Sequence, residues 1–145
     1  SFSVESEHNS RNGGLEPMAA KYDLSLGQVQ RKVLDTGAIY SATADGLCNF
    51  GEVFTTDGRI KALNLTVLED DRHFFPNYNV SPVMRQKTYN KAADQYRELF
   101  DPVSKALTND ALLAMNAEVD VQGREPADVA YDWLIAQGFI TKPKS

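Results

Sequence analysis

The chain has 145 residues, 42% hydrophobic, 10% aromatic and 24% charged, enough for one globular domain or two small lobes with a real core. A formal net charge of −5, a pI near 5.0 and scattered Lys and Arg exclude the clustered basic face of a nucleic-acid binder. No stretch approaches the ~18 apolar residues of a membrane helix, and the single cysteine, Cys48, excludes an internal disulfide or a multi-cysteine metal site.

In chain order, residues 2–7 read as a short strand opening on alternating Phe2 and Val4. The chain starts at Ser1 and not at Met, so it reads as a mature or excised piece whose targeting segment has been removed. "NSRNGG" (Asn9–Gly14) is a loop of turn formers, and Leu15, Met18, Ala19 and Tyr22 follow at helical spacing. Residues 28–34, with Val29 and Val33, read as a strand. Residues 36–46 read as a short helix stopped by Gly46. "CNFGEVFT" is strand-like and is broken by the Asp57-Gly58 turn signal. Leu65–Glu69 reads as another strand, and "YNVSPVM" as extended because Pro82 disfavours helix before it. This alternation predicts an α/β layer with a mainly parallel sheet.

From Gln86 the periodicity is helical. Ala92, Tyr96 and Leu99 share a face, a helix from Thr108 or Asn109 buries Leu112 and Met115, and a last helix runs from Pro126 to just before Gly138. The change from α/β to all-helical near Met84 marks the candidate boundary.

Chemistry is sparse. No nucleophile motif, phosphate-cradling glycine loop or zinc-type spacing is present, so no cofactor, metal or catalytic residue is expected. Glu5, Glu7 and His8 read as a solvated strand end, with the carboxylates on one face and the imidazole on the other. Asp70-Asp71 is an acid pair in a loop, where adjacent residues rarely converge, and Cys48 reads as a small buried apolar residue. The positive signal is Phe54 at a strand's carboxyl end, Tyr78 in a proline-bounded loop, and Arg11 among small residues. Aromatic faces attract poorly hydrated quaternary ammonium ions, and an arginine fork with the Thr55 and Thr56 hydroxyls suits a carboxylate. The set matches a small zwitterion, but Phe54 and Tyr78 would serve equally as ordinary core residues.

The series "SRNGGLEPMAAKY", "YSATADG", "VFTTDGRIKALNLTVLEDDRHFFPNYNVSPVMR" and "LTNDALLAMNAEVDVQGREPADVAYDWLIAQGFI" resembles, in order, the glycine betaine, choline and carnitine binding proteins of osmoprotectant ABC importers. The resemblance implies one lobe of a type II periplasmic-binding-protein-like fold, a small mainly parallel sheet with flanking helices followed by a helical segment. Residues 1–82 would be the second ligand-binding lobe, and residues 83–145 a C-terminal helical segment returning to a first lobe that has no counterpart here. It implies a non-enzymatic, extracytoplasmic receptor, periplasmic or extracellular and membrane-anchored through a removed N-terminus, serving importer permease subunits. Phe54 and Tyr78 would be box aromatics around a quaternary ammonium, Arg11 the carboxylate arginine and Thr55 a further contact, with Asp57 shaping the turn. Phe54 stands where many relatives have tyrosine, which keeps the π-face and loses a hydroxyl. Without a first lobe, an apolar surface carrying Leu112, Met115, Val129 and Trp133 is expected to be exposed and to favour self-association. The alternative is a stand-alone interaction domain that no longer binds ligand, which would bury Phe54 and Tyr78.

Overall fold

A computed structural model describes residues 1–141. The chain divides into two compact units, Ser1–Pro76 and a second beginning at Asn77.

The first unit is built on three short parallel strands, β1 (Phe2–Val4), β2 (Arg31–Val33) and β3 (Phe50–Gly51), in the order β2-β1-β3. Phe2 pairs with Arg31 on one side and Phe50 on the other, and Val4 with Val33. Parallel neighbours require crossovers, and helices supply them. They are α1 (Ser6–Ser10) and α2 (Leu15–Lys21) between β1 and β2, and α3 (Thr36–Ala44) between β2 and β3. The predicted parallel α/β layer is therefore present, with strands shorter than their sequence pattern suggested.

Val4, Leu15, Ala19, Ile39, Tyr40, Cys48 and Ile60 form the core of this unit, and Cys48 is indeed a buried apolar residue. Each large aliphatic side chain buried here contributes roughly 1.5–3 kcal/mol. Gly51 lets α3 lie close to β3. A Cβ there would come 2.5 Å from Thr43 Oγ1 and 2.7 Å from Ile39 Cγ2.

The helix stops follow one device. After α2, Asp23 takes φ 60°, its N–H bonds the Ala20 carbonyl, and Leu24 N–H reaches Ala19. After α4 (Arg59–Ala62), Asn64 takes φ 52°, bonding Lys61, and Leu65 N–H reaches Ile60. After the last helix, Gly138 takes φ 76° in the same role. In each case a left-handed residue folds the chain back on the carbonyls that the helix end leaves open. Gly46, at φ 72°, closes α3 where the sequence placed its end.

Two readings need correction. Residues 2–7 are not one strand, because the chain leaves the sheet after Val4 and turns into α1. His8 is consequently buried at 3% exposure, inside the fold and not on a solvated strand end. Leu65–Glu69 forms no strand. The Asn64 cap redirects the chain there, β3 offers only two residues to pair with, and Val67 and Leu68 remain exposed. β-Propensity is realised only against a neighbouring strand.

The second unit is helical among its described residues. It contains α5 (Gln86–Tyr89), α6 (Ala93–Ala106), α7 (Asn109–Asp120) and α8 (Pro126–Ala136). Thr108 caps α7 by accepting the Ala111 N–H at 3.2 Å, and Pro126 occupies the first turn of α8, where a missing N–H costs nothing. Arg124 joins the two helices, bonding Glu118 and, at 2.5 Å, Asp132. The apolar surface expected to be exposed here is not: Val129 is buried, and Leu112, Met115 and Trp133 are half-buried, because α7 and α8 pack on one another. Among the described residues no helix is long and apolar enough to cross a membrane.

Candidate ligand-binding site

The carboxyl ends of parallel strands are where α/β sheets present ligand contacts, because the chain leaves the sheet there in loops. In the first unit two such exits carry sequence-predicted residues. β1 runs into Glu5, α1 and then Arg11, while β3 runs into Glu52, Val53, Phe54 and Thr55.

Phe54 is 58% exposed, so its ring is not part of the core. Its backbone is held firmly. Its carbonyl accepts the Asp57 N–H at 2.9 Å, closing a tight turn through Thr55 and Thr56, and its own N–H donates to the Tyr40 hydroxyl at 3.0 Å. Thr55 is exposed at the turn. Asp57 faces inward and accepts three bonds from Arg59, from its N–H and Nε at 2.9 Å and from Nη2 at 2.8 Å. Burial raises the Asp57 carboxyl, but the Arg59 donors and the Tyr40 hydroxyl outweigh it and hold it below the usual carboxylate range.

Arg11 caps α1 and is partly exposed, with Nη1 3.5 Å from Glu7 Oε1. Such an exposed pair is worth little and leaves the guanidinium available to a stronger partner. The close turn behind Arg11 depends on Gly14, whose missing side chain makes room for the His8 carbonyl. His8 Nδ1 lies 3.7 Å from Glu52 Oε1 and has no hydrogen-bond partner, while the imidazole stacks at 6.0 Å on Phe75. Burial, with help from the Arg11 charge, pushes His8 below its ordinary value against Glu5 and Glu7. Burial pushes Glu52 up, and its bond from the Glu5 N–H and the Arg11 charge only partly oppose this. Arg11 and the root of the Phe54 loop thus share one electrostatic neighbourhood through Glu52.

A groove of about 530 Å³ also opens over the ends of β1 and β2, lined by Glu5, Glu7, Asp35 and Thr36 among others. None of the expected ligand contacts, Arg11, Phe54, Thr55 and Tyr78, lines it.

Tyr78 belongs to the second unit and is 76% exposed, in a segment without regular structure. Phe74 and Phe75 meet edge-to-face at 5.0 Å in the first unit. Asp70, one of the acid pair, is consumed locally. The Phe75 N–H at 2.8 Å and the Tyr22 hydroxyl at 2.7 Å both bond it and hold its carboxyl low. Sequence reading missed Tyr40, Arg59 and the His8–Glu52 pair. The signal available for Tyr40 was its place as the one large ring in a helix of small residues.

Known proteins resemble this chain over most of its length. A family model described as the substrate binding domain of an ABC-type glycine betaine transport system matches residues 1–136. A glycine-betaine-binding protein of Pseudomonas aeruginosa is 36% identical over 133 residues, spanning 92% of this chain and 42% of that protein. The carnitine transport binding protein OpuCC of Listeria monocytogenes is 26% identical over 138 residues, spanning 94% of this chain and 44% of that protein. A crystal structure of a glycine betaine/carnitine/choline ABC transporter matches with a TM-score of 0.83 at 26% identity, covering 95% of this chain and 50% of the other. The chain therefore spans less than half the length of these curated relatives.

Proposed function

The chain belongs to the family of substrate-binding domains of ABC-type glycine betaine transport systems, and from that premise we propose that it supplies one lobe of a receptor for a quaternary-ammonium solute. The family is one of transport receptors, not of enzymes. The carrying observation is Phe54, a large exposed ring on a firmly held turn at the carboxyl end of β3. The held backbone fixes where the ring is presented, and an aromatic side chain has only two χ angles to order when a cation settles on its face.

In this reading Phe54 is a wall of the cation box and Arg11, with Thr55, takes the carboxylate of a zwitterion such as glycine betaine or carnitine. Tyr78, in the second unit, is proposed from the sequence resemblance alone as an aromatic ligand contact. Residues 1–82 are proposed as the ligand-binding lobe and residues 83–145 as the segment that returns to the other lobe, helical where described; residues 142–145 lie outside the described residues. The receptor works outside the cytoplasm and delivers its solute to importer permease subunits. The interaction-domain alternative expected Phe54 and Tyr78 to be buried, and both are exposed.

Calorimetric titration of the chain, and of the uninterrupted reading frame that contains it, with glycine betaine, carnitine, choline and proline betaine tests the proposal. Phe54→Ala is expected to weaken binding about 2- to 30-fold, since cation–π contacts are worth ~0.5–2 kcal/mol. Arg11→Ala is expected to weaken carboxylate ligands about 10-fold or more and choline little, because a charge-assisted bond contributes ~1.5–3 kcal/mol. Absence of heat with all four ligands in both proteins would overturn the reading.

A further inference from the structure

We infer that Tyr40 is a positioning residue for the aromatic wall, its hydroxyl setting the place of the Phe54 backbone and thereby the height and tilt of the ring. This deepens the receptor reading and rests on Phe54 being a ligand contact. The geometry comes from inside the fold. Gly51 brings α3 against β3, and on that helix Tyr40 is fully buried, with its hydroxyl directed at the loop that follows β3.

The hydroxyl meets the loop directly, its oxygen accepting the Phe54 N–H at 3.0 Å. The Asp57 N–H in turn bonds the Phe54 carbonyl, so Phe54 is tied on one side to the phenol and on the other to the far end of its own turn. Arg59 completes the arrangement. Its guanidinium lies 4.8 Å over the Tyr40 ring while gripping Asp57 through two nitrogens. A turn held only by its own backbone bond is free to rock. Here the buried phenol adds a second anchor, at the Phe54 N–H.

Tyr40→Phe is the direct test, since it removes one oxygen and preserves the ring under Arg59. Glycine betaine and dimethylglycine serve as probes in calorimetry, and amide exchange by NMR reports on the Phe54 N–H. The Phe54 amide is expected to exchange at least 10-fold faster in Tyr40→Phe, while the Leu34 amide, bonded to Val4 in the sheet, keeps its protection. Glycine betaine should bind several-fold more weakly, with a smaller preference over dimethylglycine, because that preference reads the fit of the third methyl against the ring. In a Phe54→Ala background, Tyr40→Phe should change affinity less than twofold, the non-additivity expected of a residue acting through another.

Equal weakening in both backgrounds, or unchanged Phe54 exchange, overturns the inference. If wild type binds neither probe, the receptor reading fails, and Phe54 exchange still decides whether Tyr40 positions the turn. Should Tyr40→Phe not fold, the wild-type Phe54 N–H is expected to be protected from exchange by its bond to the Tyr40 hydroxyl, and an unprotected amide there overturns the inference.

Discussion

Gly14→Ala is a severe test of how the Arg11 turn is built. A methyl group at Gly14 would fall onto the His8 carbonyl oxygen, 2.9 Å from its carbon and 3.0 Å from Arg11 Cγ. Two of these three neighbours are backbone atoms, so no rotamer change relieves the overlap. Either α1 shifts, or the Gly14 N–H loses its 3.0 Å bond to the Arg11 carbonyl. Overpacking of a closed site costs ~1–3 kcal/mol, and the upper end is expected where backbone must move. Gly13 is the internal control, since a methyl there meets nothing within 4 Å. Gly13→Ala should therefore stay within about 0.5 kcal/mol of wild type. Urea titration by far-UV circular dichroism, with amide exchange at Leu34 reporting the first unit, measures both. If the two alanine variants differ by less than about 0.5 kcal/mol, the packing argument for this turn is wrong.

In the second unit, Val129→Ala removes buried methyl groups and should cost about 2 kcal/mol, read from urea unfolding followed by Trp133 fluorescence. Thr108→Ala deletes the α7 cap and should cost about 1 kcal/mol in the same assay. His8 titrates below its usual 6.5 in the fold, so the unfolded chain takes its proton first. Stability contributed by neutral His8 is whole above pH 6.5 and falls as pH drops through 6.5 toward the lower native value. Glu52 runs the other way, because its raised native value restores stability as pH falls through it toward 4.5. Replacing His8 by Leu should flatten the first decline, and an unchanged pH profile would refute the assignment. The Tyr40 phenol, pushed up to about 12 by burial, should join Tyr22, raised to about 12 by its bond to Asp70, in a late ionisation step in ultraviolet titration whose amplitude Tyr40→Phe reduces.

Local signals were legible wherever one residue type decides the backbone. Gly46 ended α3, Pro126 opened α8, Gly138 closed it, and Thr108 began α7, because each acts through its own φ or side-chain oxygen. Features set by distant neighbours were not legible. Nothing in "SEHNS" says that His8 turns inward, since its burial depends on a helix starting at Ser6 and on Phe75 arriving far later in sequence. Leu65–Glu69 has strand composition and lacks only a strand to pair with. For the candidate site, sequence left Phe54 and Tyr78 undecided between core and surface, and their exposure removes the core reading. The hydroxyl beneath Phe54 was invisible, because contact across fourteen residues depends on how closely α3 approaches β3.

The three-stranded sheet has a further consequence. With β1 in the centre, both flanking strands present unpaired backbone, an invitation to strand addition by another chain. β3 answers by being two residues long, too short to template a ladder. β2 answers with charge. Arg31 and Lys32 stand exposed on it, one bonded to Asn9 Oδ1 at 3.2 Å and the other to the Leu47 carbonyl at 2.7 Å. A neighbouring copy docking there would have to desolvate two cations and break both tethers, so the sheet's borders protect the first unit against fibrillar growth.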